Sequence, residues 1–199
     1  PRLLNLEGMR YEPEIYWLTE GFTDYYALQS LLKSGTITLK DYIDEYNDIL
    51  LAYYASPTKN VRNAVIGKYY WGDYSYIRDL PYQRGMILAH NWNTRIKAAS
   101  KGKYSLDDLM KEIFPQHSDK KRSLDDIKQL SKTYLPGGIG KDIRQYIETG
   151  KLIEPDPESF GACAKIVIEE KTFEGKLIKA PQFKIDQSNA SKACKEGVH

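Results

Sequence analysis

Histidine and cysteine, the two residue types that most often hold transition metals, are scarce: three histidines and two cysteines in 199 residues. The cysteines, Cys163 and Cys194, lack CxxC spacing, which argues against a thiolate metal site and leaves two possibilities open, a disulfide tying down the tail in an oxidising compartment or a pair of free thiols. His90 and His117 are not four apart and neither is followed by Glu, so the chain contains no HExxH. No apolar run approaches the roughly 20 residues of a membrane-spanning helix, and no signal peptide is visible. No single sign of charge dominates: 29 basic against 27 acidic residues give a net charge of +2, a balance unlike that of nucleic-acid binders, whose Lys and Arg outnumber acids on one face. Neither a nucleic-acid partner nor a membrane partner is expected.

What is present is a chain with a substantial apolar share, 41% hydrophobic residues, enough to bury a core. Leu18, Phe22, Tyr25, Leu28 and Leu32 recur at steps of three and four, which predicts a helix over 13–34 with Pro13 in its first turn and Gly35 at its C-terminal end. TLKDYIDEYNDILLAYYA predicts a second helix, with Thr38 as N-cap and Asp41 three positions on, ending before Pro57. Residues 57–80, rich in Tyr and Gly (IGKYYWGDYSYIRDLP), have no sustained period and read as a long ordered loop with short helical turns. A helix is expected from about Tyr82 to Ala99, with Met86, Ala89, Trp92 and Ile96 on one face. Ser105-Leu-Asp-Asp and Ser123-Leu-Asp-Asp are two further N-cap signatures. IGKDIRQYIETG reads as helical up to Gly150. After residue 162, AKIVIEE and KLIKAPQFKI alternate and carry β-branched residues, so they read as a strand pair joined by KTFEG. The fold class is therefore mainly α with a short β-strand pair near the C-terminus, divided as a helical lobe over 1–155 and a small β or extended segment over 156–199.

One stretch, WLTEGFTDYY at 17–26, sets two acids, Glu20 and Asp24, one turn apart on a helix with Gly21 between them. Acids at that spacing repel, and a glycine inside a helix costs roughly 1 kcal/mol relative to alanine. Positions i and i+4 differ by only about 40° around the helix, so both carboxylates share one face. Taken alone, such a pair reads as two solvated acids.

The stretch resembles the zinc-ligand segment of the glycyl aminopeptidases, peptidase family M61, members of the larger gluzincin group with thermolysin and the leucine-type aminopeptidases. Two later segments are similar to the same family in the same order: LPYQRGMILAHNWNTRI resembles its helix beginning Tyr-x-Lys-Gly, and YSLDDLMKEIF its Ser-Leu-Asp-Asp helix. A weaker similarity runs on through IRQYIETGKLIEPD. The resemblance implies a helical lobe like the C-terminal subdomain of thermolysin-like zinc peptidases. It implies that Glu20 is a zinc ligand and that Asp24 accepts a hydrogen bond from the back of a zinc-bound imidazole, fixing its tautomer. Gly21 would then let the HExxH helix approach closely. Tyr82 matches the tyrosine that donates to the oxyanion of the tetrahedral intermediate; Arg84 replaces the family's Lys, keeping charge but not geometry, and Asn93 stands where the family has Asp. Gly85 would allow close packing. His90, eight residues beyond Tyr82 and so near the same face, reads first as a satisfied structural histidine, and His117 as a surface residue.

A catalytic zinc uses three protein ligands and a water. The family supplies two of them, and the general-base Glu, from an HExxH that would precede residue 1, and the chain opens at Pro1. The expectation is the C-terminal half of a zinc-dependent aminopeptidase that removes N-terminal residues from peptides, Gly or Ala preferred, with zinc held in the full-length protein and the upstream catalytic segment of the same protein as its partner. The chain by itself is expected to be inactive and to hold no tight zinc. The alternative is a non-catalytic helical module, derived from a peptidase, that binds peptides or proteins, for which the Tyr-rich stretch 69–76 would suit. The substrate-binding residues and the compartment are left open, a periplasmic or secreted setting being favoured over the cytoplasm. The region after 160 is too short for the PDZ domain that family members often carry, which leaves the strand pair without a role.

Overall fold

The computed structural model describes residues 12–115 and 122–186. His117, Cys194 and His199 lie outside them.

A single 3-10 turn, Glu12–Ile15, leads into α1 (Tyr16–Lys33). The apolar stripe read from the sequence faces inward: Trp17, Leu18, Phe22, Tyr25 and Leu32 are buried, while Leu28 is half-buried. Helix α2 (Leu39–Ala55) starts at the expected capping box, with the Thr38 hydroxyl accepting from the Asp41 amide and the Asp41 carboxylate accepting from the Thr38 amide. The two Ser-Leu-Asp-Asp signatures likewise open α5 (Leu106–Ile113) and α6 (Leu124–Ser131), each with a reciprocal capping box. Helix α7 (Gly140–Asp142) continues as a π-helical turn, Ile143–Glu148.

Two expectations are corrected between residues 57 and 100. The stretch read as a long loop with short helical turns holds a full helix, α3 (Asn63–Tyr69), and the first residues of the next. Helix α4 runs from Ser75 to Ser100, so it begins seven residues before Tyr82, which is an interior residue and not the first. Pro81 lies inside α4, where it lacks the N–H that would bond back one turn. The helix survives there because burial outweighs that loss: Ile77, Leu80, Pro81 and the unbroken run Arg84–His90 are all buried. Polar Arg84 and His90 lie within this buried run, which blurs the amphipathic period at the start of the helix, and α4 is the central helix of the fold.

Around α4 the core is largely aromatic. Trp17, Phe22 and Trp92 meet edge to face, with ring centroids 5.5–6.3 Å apart. The Trp92 indole N–H donates to Asp142, 2.9 Å away, and Arg95 pairs with the same carboxylate, tying α4 to α7. A second cluster surrounds His90, whose ring stacks on Tyr46 at 4.1 Å and meets Tyr25, Tyr42 and Phe160.

The C-terminal strand pair is present as read. Strands β1 (Ala164–Phe173) and β2 (Lys176–Ile185) pair antiparallel from Phe173↔Lys176 to Ala164↔Ile185. Glu174 and Gly175 form the two-residue turn with φ of 48° and 75°, both left-handed, as a tight hairpin turn requires. The hairpin packs on α2, where Asn47 substitutes for a missing strand: its side chain donates to the Phe183 carbonyl (2.9 Å) and accepts from the Phe183 amide (2.7 Å). Cys163, just before β1, is disulfide-bonded.

Candidate active site

The acids of α1 lie where the spacing put them. Glu20 is half-buried and Asp24 exposed. Asp24 is held above the usual carboxylate range, first by partial burial and then by the Glu20 charge, which is the electrostatic signature of a shared face.

Gly21 does not serve an approaching HExxH helix in this structure; it meets α4. A Cβ at Gly21 would stand 2.6 Å from the Cα of Gly85 and 2.9 Å from the Tyr82 carbonyl oxygen. The reciprocal Cβ at Gly85 would overlap the Trp17 carbonyl oxygen. Real Cβ atoms do not come this close to backbone, so α1 and α4 touch main chain to main chain only because both positions are glycine. Gly85 therefore allows the close packing expected of it, and Gly21 is its partner. The seam has a positional consequence: Tyr82 lies one turn before Gly85, so the seam brings its backbone against the turn of α1 that carries Glu20.

The Tyr82 hydroxyl comes within 3.4 Å of the Tyr70 hydroxyl, a long contact for two hydroxyls. Tyr70 follows directly on α3. Its ring is buried, set edge-on to Tyr16 at 5.0 Å and to Trp71 at 5.0 Å. The Tyr70 phenol is pushed well above the ordinary tyrosine value by burial, by its hydrogen bond to Tyr82 and, among smaller contributions, by the Glu20 charge. It stays protonated at neutral pH. The structure thus brings Glu20, Tyr70 and Tyr82 into one neighbourhood. Tyr70 escaped the sequence reading because it is one of 16 tyrosines, and only tertiary pairing distinguishes it.

Other residues singled out in the sequence lie elsewhere. Arg84, fully buried, turns away from the acids and donates to the carbonyls of Lys59 (2.9 Å) and Val61 (2.6 Å). Both bonds come from its Nη2, and they hold the 57–62 segment against α4. Asn93 accepts from the Leu106 amide at 3.1 Å, satisfying a free donor at the start of α5. His90 Nε2 lies 3.0 Å from the Tyr42 hydroxyl, and burial, assisted by Lys97, holds its pKa down at about 3. It is a neutral, packed histidine.

Among the described residues no three His, Cys, Asp or Glu side chains are gathered to hold a metal. Glu20 makes no hydrogen bond or ion pair with them. What the arrangement offers chemically is a carboxylate free to bind a cation, a second acid one turn on, and two phenols able to donate to a developing negative charge.

No curated protein matches the chain. The family comparison does find a match, over a stretch that includes Glu20, Asp24, Tyr70 and Trp71, stops short of Tyr82 and spans a little over a third of the chain: in residues 5–77 the chain is similar to the M61 glycyl aminopeptidases, whose model it matches there.

Proposed function

We propose that the chain is the helical part of a zinc aminopeptidase of the M61 type, which hydrolyses N-terminal residues from peptides with Gly or Ala preferred. The observation that carries the reading is the Gly21–Gly85 seam, which sets Tyr82 of α4 beside the acid-bearing turn of α1 inside and next to the family-matched segment.

Glu20 fits one zinc ligand and Asp24 the acid behind a ligand histidine. The described residues offer no further group to complete the set of three. They fit a contribution to a zinc site, and the two imidazole ligands and the general base are assigned to a segment of the same protein preceding Pro1, as the resemblance implies. Zinc bound there would polarise the scissile carbonyl and lower the pKa of the attacking water. The residues of this chain do the rest of their work by position. Tyr82 donates from its phenol to the oxyanion, a contribution of about 3 kcal/mol for a well-aimed donor. Tyr70, itself protonated, gives that phenol a fixed neighbour. Asp24 holds an imidazole in one tautomer.

The test uses the protein that carries this chain together with its preceding segment. Tyr82→Phe is expected to lower kcat for Ala-anilide about 100-fold with zinc content unchanged, and Glu20→Gln to lower zinc content by mass spectrometry. An unchanged kcat in Tyr82→Phe would remove Tyr82 from the reaction. Full zinc occupancy in Glu20→Gln would remove Glu20 from the metal.

A further inference from the structure

Of the three tryptophans, Trp17 and Trp92 are fully buried and Trp71 is 75% exposed. A large apolar ring standing in water forfeits the burial that drives folding, and its neighbours, Tyr69 at the end of α3, Tyr74 on the loop and Tyr76 at the start of α4, are exposed as well. One backbone bond and one ring contact give the display its shape. The Gly72 amide donates to the Tyr69 carbonyl at 3.0 Å, closing a turn with Trp71 at its third position. The Trp71 ring rests edge-on against Tyr70, centroids 5.0 Å apart. Tyr70 is in turn the residue whose hydroxyl meets Tyr82 and whose phenol senses Glu20. The exposed ring is therefore continuous with the candidate active site through a single intervening side chain.

We propose that Trp71 is a specificity-determining platform for the body of the peptide substrate, binding an aromatic or large aliphatic side chain at the second to fourth residue. The inference rests on the aminopeptidase reading and extends it. An aminopeptidase holds the first residue at the reacting carbonyl, so all the remaining substrate runs to one side of the scissile bond. An extended chain advances about 3.3–3.6 Å per residue, and one tyrosine separates Trp71 from the Tyr82 hydroxyl, so the ring lies within about four residues of the bond cleaved. A flat aromatic face recognises side chains by stacking and edge contacts, which selects for Phe, Tyr, Trp, Leu or Pro over Gly without reading their identity further.

A quencher dissolved in water isolates this ring, because the other two tryptophans are shielded from it. Acrylamide quenching with excitation confined to tryptophan is measured on the chain alone and with tetrapeptide amides, either all Gly after an N-terminal Ala or with one Phe at position two, three or four. At least one Phe peptide is expected to reduce the quenching at least twofold while the all-Gly peptide leaves it unchanged, and Trp71→Ala is expected to abolish binding of that Phe peptide by calorimetry. In the protein with its preceding segment, kcat/KM for the Phe peptide relative to the all-Gly peptide is expected to fall about tenfold in Trp71→Ala. Protection of Trp71 by a Phe peptide without hydrolysis of any peptide would uphold the platform and sink the aminopeptidase reading. Hydrolysis of both peptides at equal kcat/KM with quenching unchanged would overturn the platform and leave the reading standing. A Trp71 already shielded in the free chain and exposed on dilution would mean that a second copy covers it, which also overturns the proposal.

Discussion

Helix α1 has two sides that obey different rules. One side, at Gly21, touches Gly85 main chain to main chain and tolerates no added atom. The other, less than a turn around, sets Glu20 and Asp24 side by side and half open to solvent. The first side is a matter of steric exclusion, settled within the fold. The second is left unsettled electrostatically, with two like charges and no counter-ion among the described residues. A side built only for stability would carry a Lys four residues from Glu20. The acid pair is therefore the part of α1 that the described fold leaves without a counter-charge, and the glycine seam is what holds it still.

The sharpest way to break that contrast is Gly85→Ala. Its methyl group would overlap the Trp17 carbonyl oxygen, backbone that cannot swing aside, so a loss of about 3 kcal/mol is expected, read as the shift of the urea midpoint. Near-normal stability would mean that α1 and α4 can part freely and that the seam does not fix Tyr82.

The packed side makes a second demand, of comparable size at pH 4 and absent at neutral pH, through His90. Its folded pKa is about 3 against an ordinary 6.5, so the unfolded chain takes up the proton first. The stability lent by the neutral ring is complete above about pH 6.5 and is lost as pH falls from there towards 3, by up to about 1.4 kcal/mol per unit. Denaturation curves between pH 7 and 4 should show this slope, and His90→Gln should be flatter by one proton. An equal slope in both proteins would place the titrating group elsewhere.

The smallest effect belongs to the open side. Glu20→Gln removes the charge facing Asp24, so the Asp24 pKa should drop towards the ordinary carboxylate value in an NMR titration. Because Asp24 is raised in the folded protein, the charged pair is unfavourable above that pKa and the penalty fades as pH falls through it. At neutral pH Glu20→Gln should gain a few tenths of a kcal/mol at most, since solvent screens the pair. An unmoved Asp24 would show that the two acids do not share a face.

The parts of this fold legible in the sequence are those in which one local rule decides the structure. The capping boxes at Thr38, Ser105 and Ser123 and the turn at Glu174-Gly175 are short-range chemistry. The pair Glu20 and Asp24 was readable because helical spacing alone puts them on one face. The start of α4 was not, because Pro81 reads as a stop and the apolar face read at 86–96 does not continue clearly into the turns before it. Gly21 was visible as an anomaly, yet its partner Gly85 lies 64 residues on, and nothing local distinguishes one approaching helix from another. Tyr70 and the turning away of Arg84 depend in the same way on contacts between distant segments.

Arg84 has a consequence of another kind. By bonding the carbonyls of Lys59 and Val61, it turns the main chain of 57–62 inward, and Gly150 presses its backbone against Asn60 and Val61 from the other side. A protease must draw a stretch of extended chain into its own cleft, and this segment has none to lend, although it contains Lys59 and Arg62. The turn at Trp71, held by one backbone bond at its base, can be drawn out far more readily. Under brief digestion the molecule should therefore part first beside its exposed aromatic residues, with the basic residues of the neighbouring loop surviving intact.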